Sequence, residues 1–526
     1  MLMQRFNPAS ISRLLWALVL VTLPVTSFRF MPFMGSGTYV RPLALYPLVI
    51  LLPVLLLRIK RGEIPRPWPG ALTVLLAFLL VALAATALGS TLAPLELRGV
   101  DFYDRALRAV ITLGIGLSFF LAAVWMNQSE AELRFSVRWL LVGLVAHLLW
   151  GAVQFIGLNT GHRQQLLQIQ NLFSVRGLVK NKRISGFAYE PSWLAGQIAT
   201  LYLPWLVASV LMRYRALVSA DTQHAARKAQ NTAQVISNKL MPFIEPVLML
   251  AALTGVLMTY SRSGLLLVIL AGLITFTLAG KQTLSSLWSW LLAGFERGRQ
   301  TSRWAALQAA GSRVLLALIL VAVLAGAAIF LADKGYIATF FKADKTDLFS
   351  YAVDVYLGPR LAYASAALNA FQAHPLTGVG LGASGFAIYQ NMPDWVLAGV
   401  PEIANQMSPT SSLYPNPKNL YVRLLTETGL LGLLLFLLFY LSLFAETLSL
   451  LRDGTGPSRW LAAAGIFALT AIILQGITQD SFAMPEMWIN LGLLAGAASA
   501  LQTTKTNHKL APAPGAQTSV KDEDTL

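Results

Sequence analysis

Residues 420–447 read LYVRLLTETGLLGLLLFLLFYLSLFAET, a run in which leucine and phenylalanine leave room for few charges. A helix crosses a bilayer in about 20 such residues, and charge inside the hydrocarbon is costly. The run is longer than that thickness demands, so it is expected to tilt or to project beyond the surface. Outward from it, comparable runs follow at 460–479 and 486–502. Others precede it at 11–29, 40–58, 69–90, 107–126, 136–157, 191–212, 241–260, 263–280 and 313–332. The chain therefore reads as an all-α polytopic membrane protein with about 12 transmembrane helices. Composition agrees: 56% of the 526 residues are hydrophobic and 12% charged, and the mean hydropathy is +0.61. A soluble domain carries roughly twice that charge fraction.

The runs divide the chain into transmembrane helices one to nine (1–332), a long outer segment (333–419), helices ten to twelve (420–502) and a polar, disordered tail (503–526). Leu14 to Phe28 follows Arg5 and Arg13 as a signal peptide would, but no small-x-small cleavage site follows, so it is expected to stay as the first span. Short loops carrying Arg58, Lys60, Arg61, Arg66, Arg213, Arg215, Lys239, Lys281, Arg297 and Arg299 fall on one side, which the positive-inside rule makes cytoplasmic. Both termini are then inside. The inserts at 213–240 and 281–312 are polar or amphipathic, and Trp288, Trp290 and Phe295 ahead of Arg297 read as a helix lying in the inner interface.

Zero cysteines exclude disulfides and thiolate chemistry, and five scattered histidines offer no metal-ligand spacing. Neither a metal nor a cofactor is expected. Nucleic acid is a poor partner, since no aromatic platform interleaves the cations.

The outer side nevertheless holds concentrated positive charge: Arg163, Arg176, Lys180, Lys182 and Arg183 before the sixth span, then Lys334, Lys342, Lys345, Arg360 and Lys418. Solvated loop charge is one reading. A cavity for an anionic ligand is the sharper one, because cations beside low-dielectric walls focus the field. The 333–419 segment is too long for a passive connection. Within it, 360–372 has helical periodicity, bounded by Gly358-Pro359 and His374-Pro375. The glycines at 378, 380 and 382 that follow lack the lysine of a nucleotide-binding loop.

Four motifs converge on the outer face under this topology. They are Arg183-x-x-Gly186-x-x-x-Glu190-Pro191-Ser192, Ser261-Arg262-Ser263-Gly264, Arg360 with His374-Pro375-Leu376-Thr377-Gly378-Val379-Gly380, and Asn416-Pro417-Lys418-Asn419-Leu420-Tyr421 running into Glu427-Thr428-Gly429-Leu430. In this order they resemble the O-antigen ligase and O-antigen polymerase family over about 180–435. The family's ligases carry a histidine, taken as catalytic, where this chain has Lys418. The Glu190-Pro191-Ser192 motif is similar to the polymerase side.

The resemblance implies a GT-C-like fold in the bacterial inner membrane with its active site facing the periplasm. It further implies a glycosyltransferase that joins repeat units held on undecaprenyl diphosphate. Donor and acceptor lipid-linked glycans, membrane lipids, chain-length regulators and flippases would be its partners. Residue chemistry fits such a transfer. Guanidinium forks bind phosphate bidentately, so Arg262 and Arg360 are candidate catalytic groups and Arg183 a substrate contact. Glu190 is the candidate base for the acceptor hydroxyl. Lys182, Lys418, Asn419, His374 and Tyr421 are candidate substrate-binding residues.

Plainer readings stand beside these. Arg183 and Lys182 can snorkel at a helix mouth, Glu190-Pro191 can simply start a helix, His374-Pro375 can end one, and Glu427 can pair with Arg423 one turn before it. Asp480 and Glu486 can merely mark the interface. Transfer of finished glycan to lipid A core or protein, a transporter or flippase, and a non-catalytic export scaffold are the alternative functions.

Overall fold

A computed structural model describes residues 7–31, 39–65, 68–92, 96–176, 182–212, 232–280, 358–411, 414–452 and 456–510. Apolar helices form its core, with the short amphipathic α6 beside them: α1 (Pro8–Thr22), α2 (Leu45–Lys60), α3 (Gly70–Gly89), α4 (Phe102–Trp125), α5 (Glu130–Asn159), α6 (Arg163–Phe173), α7 (Pro191–Met212), α8 (Thr232–Met258) and α9 (Arg262–Ala279). After α9 the described chain resumes with α10 (Gly358–Ala373), α11 (Ser384–Gln390), α12 (Asp394–Gly399) and α13 (Pro401–Met407). The C-terminal helices are α14 (Leu420–Arg452), α15 (Gly456–Gln475) and α16 (Pro485–Leu510).

Seven of these helices are long and apolar enough to cross a membrane: α3, α4, α5, α7, α9, α14 and α15. Eleven of the predicted runs fall on described helices; the run at 313–332 lies outside the described residues, as do 281–312, 333–357 and 511–526. The molecule is an integral membrane protein, mostly helical. Helices α7 and α15 lie at the centre, with 83% and 78% of their apolar windows buried, against 28–44% for the other five. Peripheral helices instead expose leucines such as Leu80, Leu149, Leu434 and Leu441, as lipid-facing surfaces do. Small residues let the interior helices approach closely. A Cβ on Gly492 of α16, for instance, would come within 2.5 Å of the Phe120 carbonyl oxygen of α4.

Helix starts follow their caps. Asp101 accepts from the Asp104 N–H at 2.8 Å, and Ser261 accepts from Gly264 at 3.2 Å. Ahead of α5, Ser129 accepts from the Glu132 N–H at 3.3 Å, and the Glu132 carboxylate accepts from the Gln128 N–H at 2.8 Å. Two features were not anticipated from the sequence. One is the helix α6. The other is a minimal hairpin pairing Glu96–Leu97 with Val100–Asp101. Its turn residues Arg98 and Gly99 both have positive φ, 58° and 71°, the geometry that matches the twist of a two-residue turn.

Helix α14 corrects an expectation. It is longer than the predicted 420–447 run, yet it is not one continuous rod: Gly429 breaks it with φ 64° and ψ −167°. The segment after α10 inserts at that break. Val379 N–H donates to the Thr426 carbonyl at 2.9 Å, Gly380 N–H to the Glu427 carbonyl at 2.9 Å, and Leu430 N–H to the Pro375 carbonyl at 2.9 Å. The groups that the break strips of helical partners are thereby satisfied. The approach is backbone to backbone: a Cβ on Gly378 would lie 2.5 Å from the Thr426 oxygen, and one on Gly429 2.3 Å from the Leu376 carbonyl. Glycine is required at both positions.

Candidate functional site at one end of the bundle

The starts of α7, α9 and α14 gather at the end of the bundle where α3 and α15 finish. Residues 183–190 enter this end as a strap sewn onto α5. Gln154 accepts from the Ser185 and Gly186 N–H groups at 3.0 and 2.8 Å and donates to the Gly186 carbonyl at 3.0 Å. Gly186, at φ 55°, lies so close to His147 that a Cβ would reach its ring at 2.8 Å. This fixes the two residues of interest on either side. Arg183 Nε donates to the Thr259 carbonyl at 2.7 Å, tying the strap to the turn before α9. Glu190 caps α7 by position, with Pro191 in the first turn, as a simple helix start requires.

The Glu190 carboxylate is held on both oxygens. Arg176 donates to Oε2 at 2.8 Å, and the Ser192 hydroxyl donates to Oε1. Arg176 also lies over the Tyr189 ring, 4.6 Å from its centroid. Burial pushes the Tyr189 hydroxyl above its ordinary range, against the pull of Arg176. In the adjoining turn Tyr260 takes φ 50°, an uncommon conformation outside glycine. Arg262 follows as the first residue of α9, half-buried. Lys182 is exposed beside the strap, and Lys180 lies outside the described residues.

A second group forms around the break in α14. Arg423 donates to Glu427 Oε2 at 3.0 Å and to the Asp480 carbonyl at 2.7 Å, while Ser384 donates to Glu427 Oε1 at 2.7 Å. Glu427 is 1% exposed, so this ion pair is interior and structural. Asp480 is buried too, not an interface marker. Its carboxyl is met by the Asn416 side chain and the Lys418 backbone, and burial raises it above the ordinary carboxylate range.

Asn419 Oδ1 accepts from the Tyr421 and Val422 N–H groups at 3.0 and 3.1 Å, capping α14. Tyr421 donates to the Ile473 carbonyl at 2.6 Å. Lys418 is exposed, at φ 51°. His374 ends α10, and its carbonyl accepts from Gly378 N–H at 2.9 Å. Arg360, near the start of α10, is half-buried with Nε shielded, and burial lowers its guanidinium from the ordinary value.

The four sequence motifs thus sort into two neighbouring groups. The strap joins the α9 turn; His374, Lys418, Asn419 and Tyr421 belong with the α14 break, and Arg360 lies at the opposite end of α10, a helix that packs on α14. Helix α15 bridges them: the Gly476 carbonyl accepts from Leu420 N–H at 2.7 Å, and Gly196 of α7 packs against the Gln475 amide. Sequence reasoning placed Arg176 among the outer cations but missed it as Glu190's partner. It missed Arg105 altogether, whose guanidinium stacks 3.9 Å from the Tyr414 ring centroid. An arginine in the first turn of a span, beside a charged outer loop, was the available signal.

Residues 247–437 match the family model described as O-antigen ligase, so this region is similar to the O-antigen ligase/polymerase family. The match takes in the α9 turn and the α14 break but not the 183–192 strap. No curated protein matches the chain. The fold is that of an integral membrane protein, and its matched region is similar to O-antigen ligase.

Proposed function

We propose that the protein polymerises undecaprenyl diphosphate-linked oligosaccharide repeat units into a bacterial surface polysaccharide, at the periplasmic face of the inner membrane. The observation that carries this reading is the bond from Arg183 to the Thr259 carbonyl, which brings two separate cationic motifs to one mouth beside Glu190. Breaking the bond between a sugar and a lipid diphosphate leaves negative charge on the diphosphate oxygen. Arg183 and Arg262 would take up that charge from one group and Arg360 from α10, so no metal is required.

The acceptor hydroxyl oxygen attacks the anomeric carbon from the opposite face, its proton passes to Glu190, and the electron pair of the broken bond leaves on the diphosphate. The configuration inverts. Arg176 and Ser192 each take one lone pair of Glu190, which leaves a second on each oxygen for the acceptor hydroxyl. Lys418 and Lys182 serve as further phosphate contacts, with Asn419, Tyr421 and His374 shaping the second group.

A ligase, transferring finished glycan to lipid A core or protein, is the second reading, favoured by the description of the matched family. A gel of lipid-linked and surface glycans from a strain lacking the gene separates the two. Single lipid-linked repeats support the polymerase; long polymer left unattached supports the ligase and overturns the polymerase.

A further inference from the structure

Between roughly 10 and 18 Å below Glu190 along α7, at 1.5 Å per residue, the bundle holds a set of polar atoms that the transfer reaction does not use. Glu486, in the first turn of α16, is 0% exposed; neither of its carboxylate oxygens has a hydrogen bond of good geometry among the described residues, and the Gln197 side chain and its own backbone N–H are the polar groups closest to it. Facing it on α7 are Gln197 and Tyr202. Gln197 is also 0% exposed: its amide N–H donates to the Leu23 carbonyl at 3.1 Å, which leaves Oε1 unpartnered. The Tyr202 hydroxyl, fully buried, is unpartnered as well.

The neighbouring polar groups are spoken for. Residues 198–202 form a π-helical turn, a distortion often found at functional sites. Asn490, one turn beyond Glu486, donates to the Thr200 carbonyl within that turn and accepts from the Trp205 indole at 3.0 Å. Tyr440 of α14 turns its hydroxyl to the Met487 sulfur at 3.3 Å. Tyr202 is thus the titratable group facing Glu486; Gln197 and Asn490 carry no charge.

Beyond the Gln197 amide and the Glu486 backbone N–H, the site sets three unpartnered acceptor oxygens against one hydroxyl. Buried polar atoms are rarely left in that condition, and a buried charge requires compensation. One carboxylate supplies one negative charge, so a single positive charge restores neutrality, whereas a divalent ion would leave an excess in the bundle. The donor set is oxygen throughout, which suits a proton or a hard alkali ion. We propose that Glu486, Gln197 and Tyr202 form a monovalent-cation site between α7 and α16, occupied by a proton or an alkali ion.

The test uses the full-length protein purified in detergent, with its thermal unfolding midpoint followed as NaCl replaces choline chloride and, separately, as pH is raised without sodium. Saturable stabilisation by sodium that Glu486→Gln abolishes supports the site with an alkali ion. A pH-dependent midpoint, indifferent to sodium and flattened by Glu486→Gln, supports it with a proton. Should Glu486→Gln not fold, Tyr202→Phe decides: it is expected to shift the half-effective sodium concentration or the pH midpoint several-fold in ion concentration. Identical sodium and pH responses in wild type and the folded variants would overturn the proposal.

Discussion

The two groups at this end of the bundle are built on opposite principles. Around the α14 break, motif glycines let two backbones touch, and the charges are buried against each other. At the strap and the α9 turn, backbone bonds to α5 and α8 hold the chain while Arg176, Glu190 and Arg262 stay half-exposed. Two motifs of equal prominence in the sequence thus do different work. The first fixes geometry; the second leaves its charged side chains half-exposed.

Substitutions that separate geometry from charge break or sharpen this contrast. The largest effect is expected at the interlock. Gly378→Ala or Gly429→Ala forces a Cβ onto backbone at 2.5 or 2.3 Å and imposes a strained φ, costing about 3 kcal/mol or more. Immunoblots of membrane fractions should show the protein depleted.

Glu427→Gln comes next. It leaves Arg423 buried beside a neutral amide, a loss of about 3–5 kcal/mol, measurable as a lowered unfolding midpoint in detergent. Arg262→Ala should leave protein level unchanged while reducing polymer formation by about 10²–10³, followed as chain extension of lipid-linked repeats. Lys182→Ala, at an exposed position, should change stability by no more than about 0.5 kcal/mol. A glycine substitution that is tolerated, or an Arg262 variant lost from the membrane, would erase the distinction.

Much of this was legible before the structure. Apolar run length fixed the helices, and the bounds of α7 coincide with the predicted 191–212. The helix at 360–372 appeared where Gly358 and His374 bracket it. What the sequence could not show were meetings between distant segments. Nothing in the spacing of His374-Pro375-Leu376-Thr377-Gly378 says that its backbone will fill a break at Gly429. The Arg176–Glu190 pair joins positions fourteen apart in the chain, a separation no helical or strand periodicity encodes. Asp480 and Glu486 resembled interface markers because acidic residues flanking spans usually are, yet packing of α16 against α7 and α4 buries Glu486, and the α15–α16 connection buries Asp480 under Asn416.

The account depends most directly on both groups lying at one end of the bundle, away from the end that carries Arg61. Because the chain has no cysteine, single replacements Lys182→Cys, Arg262→Cys, Lys418→Cys and Arg61→Cys can each be probed in intact cells with a membrane-impermeant maleimide. The account predicts labelling of the first three from outside the inner membrane and protection of the fourth until the cells are opened. Protection of Arg262→Cys together with labelling of Lys418→Cys would place the two groups on opposite sides of the bilayer and contradict it.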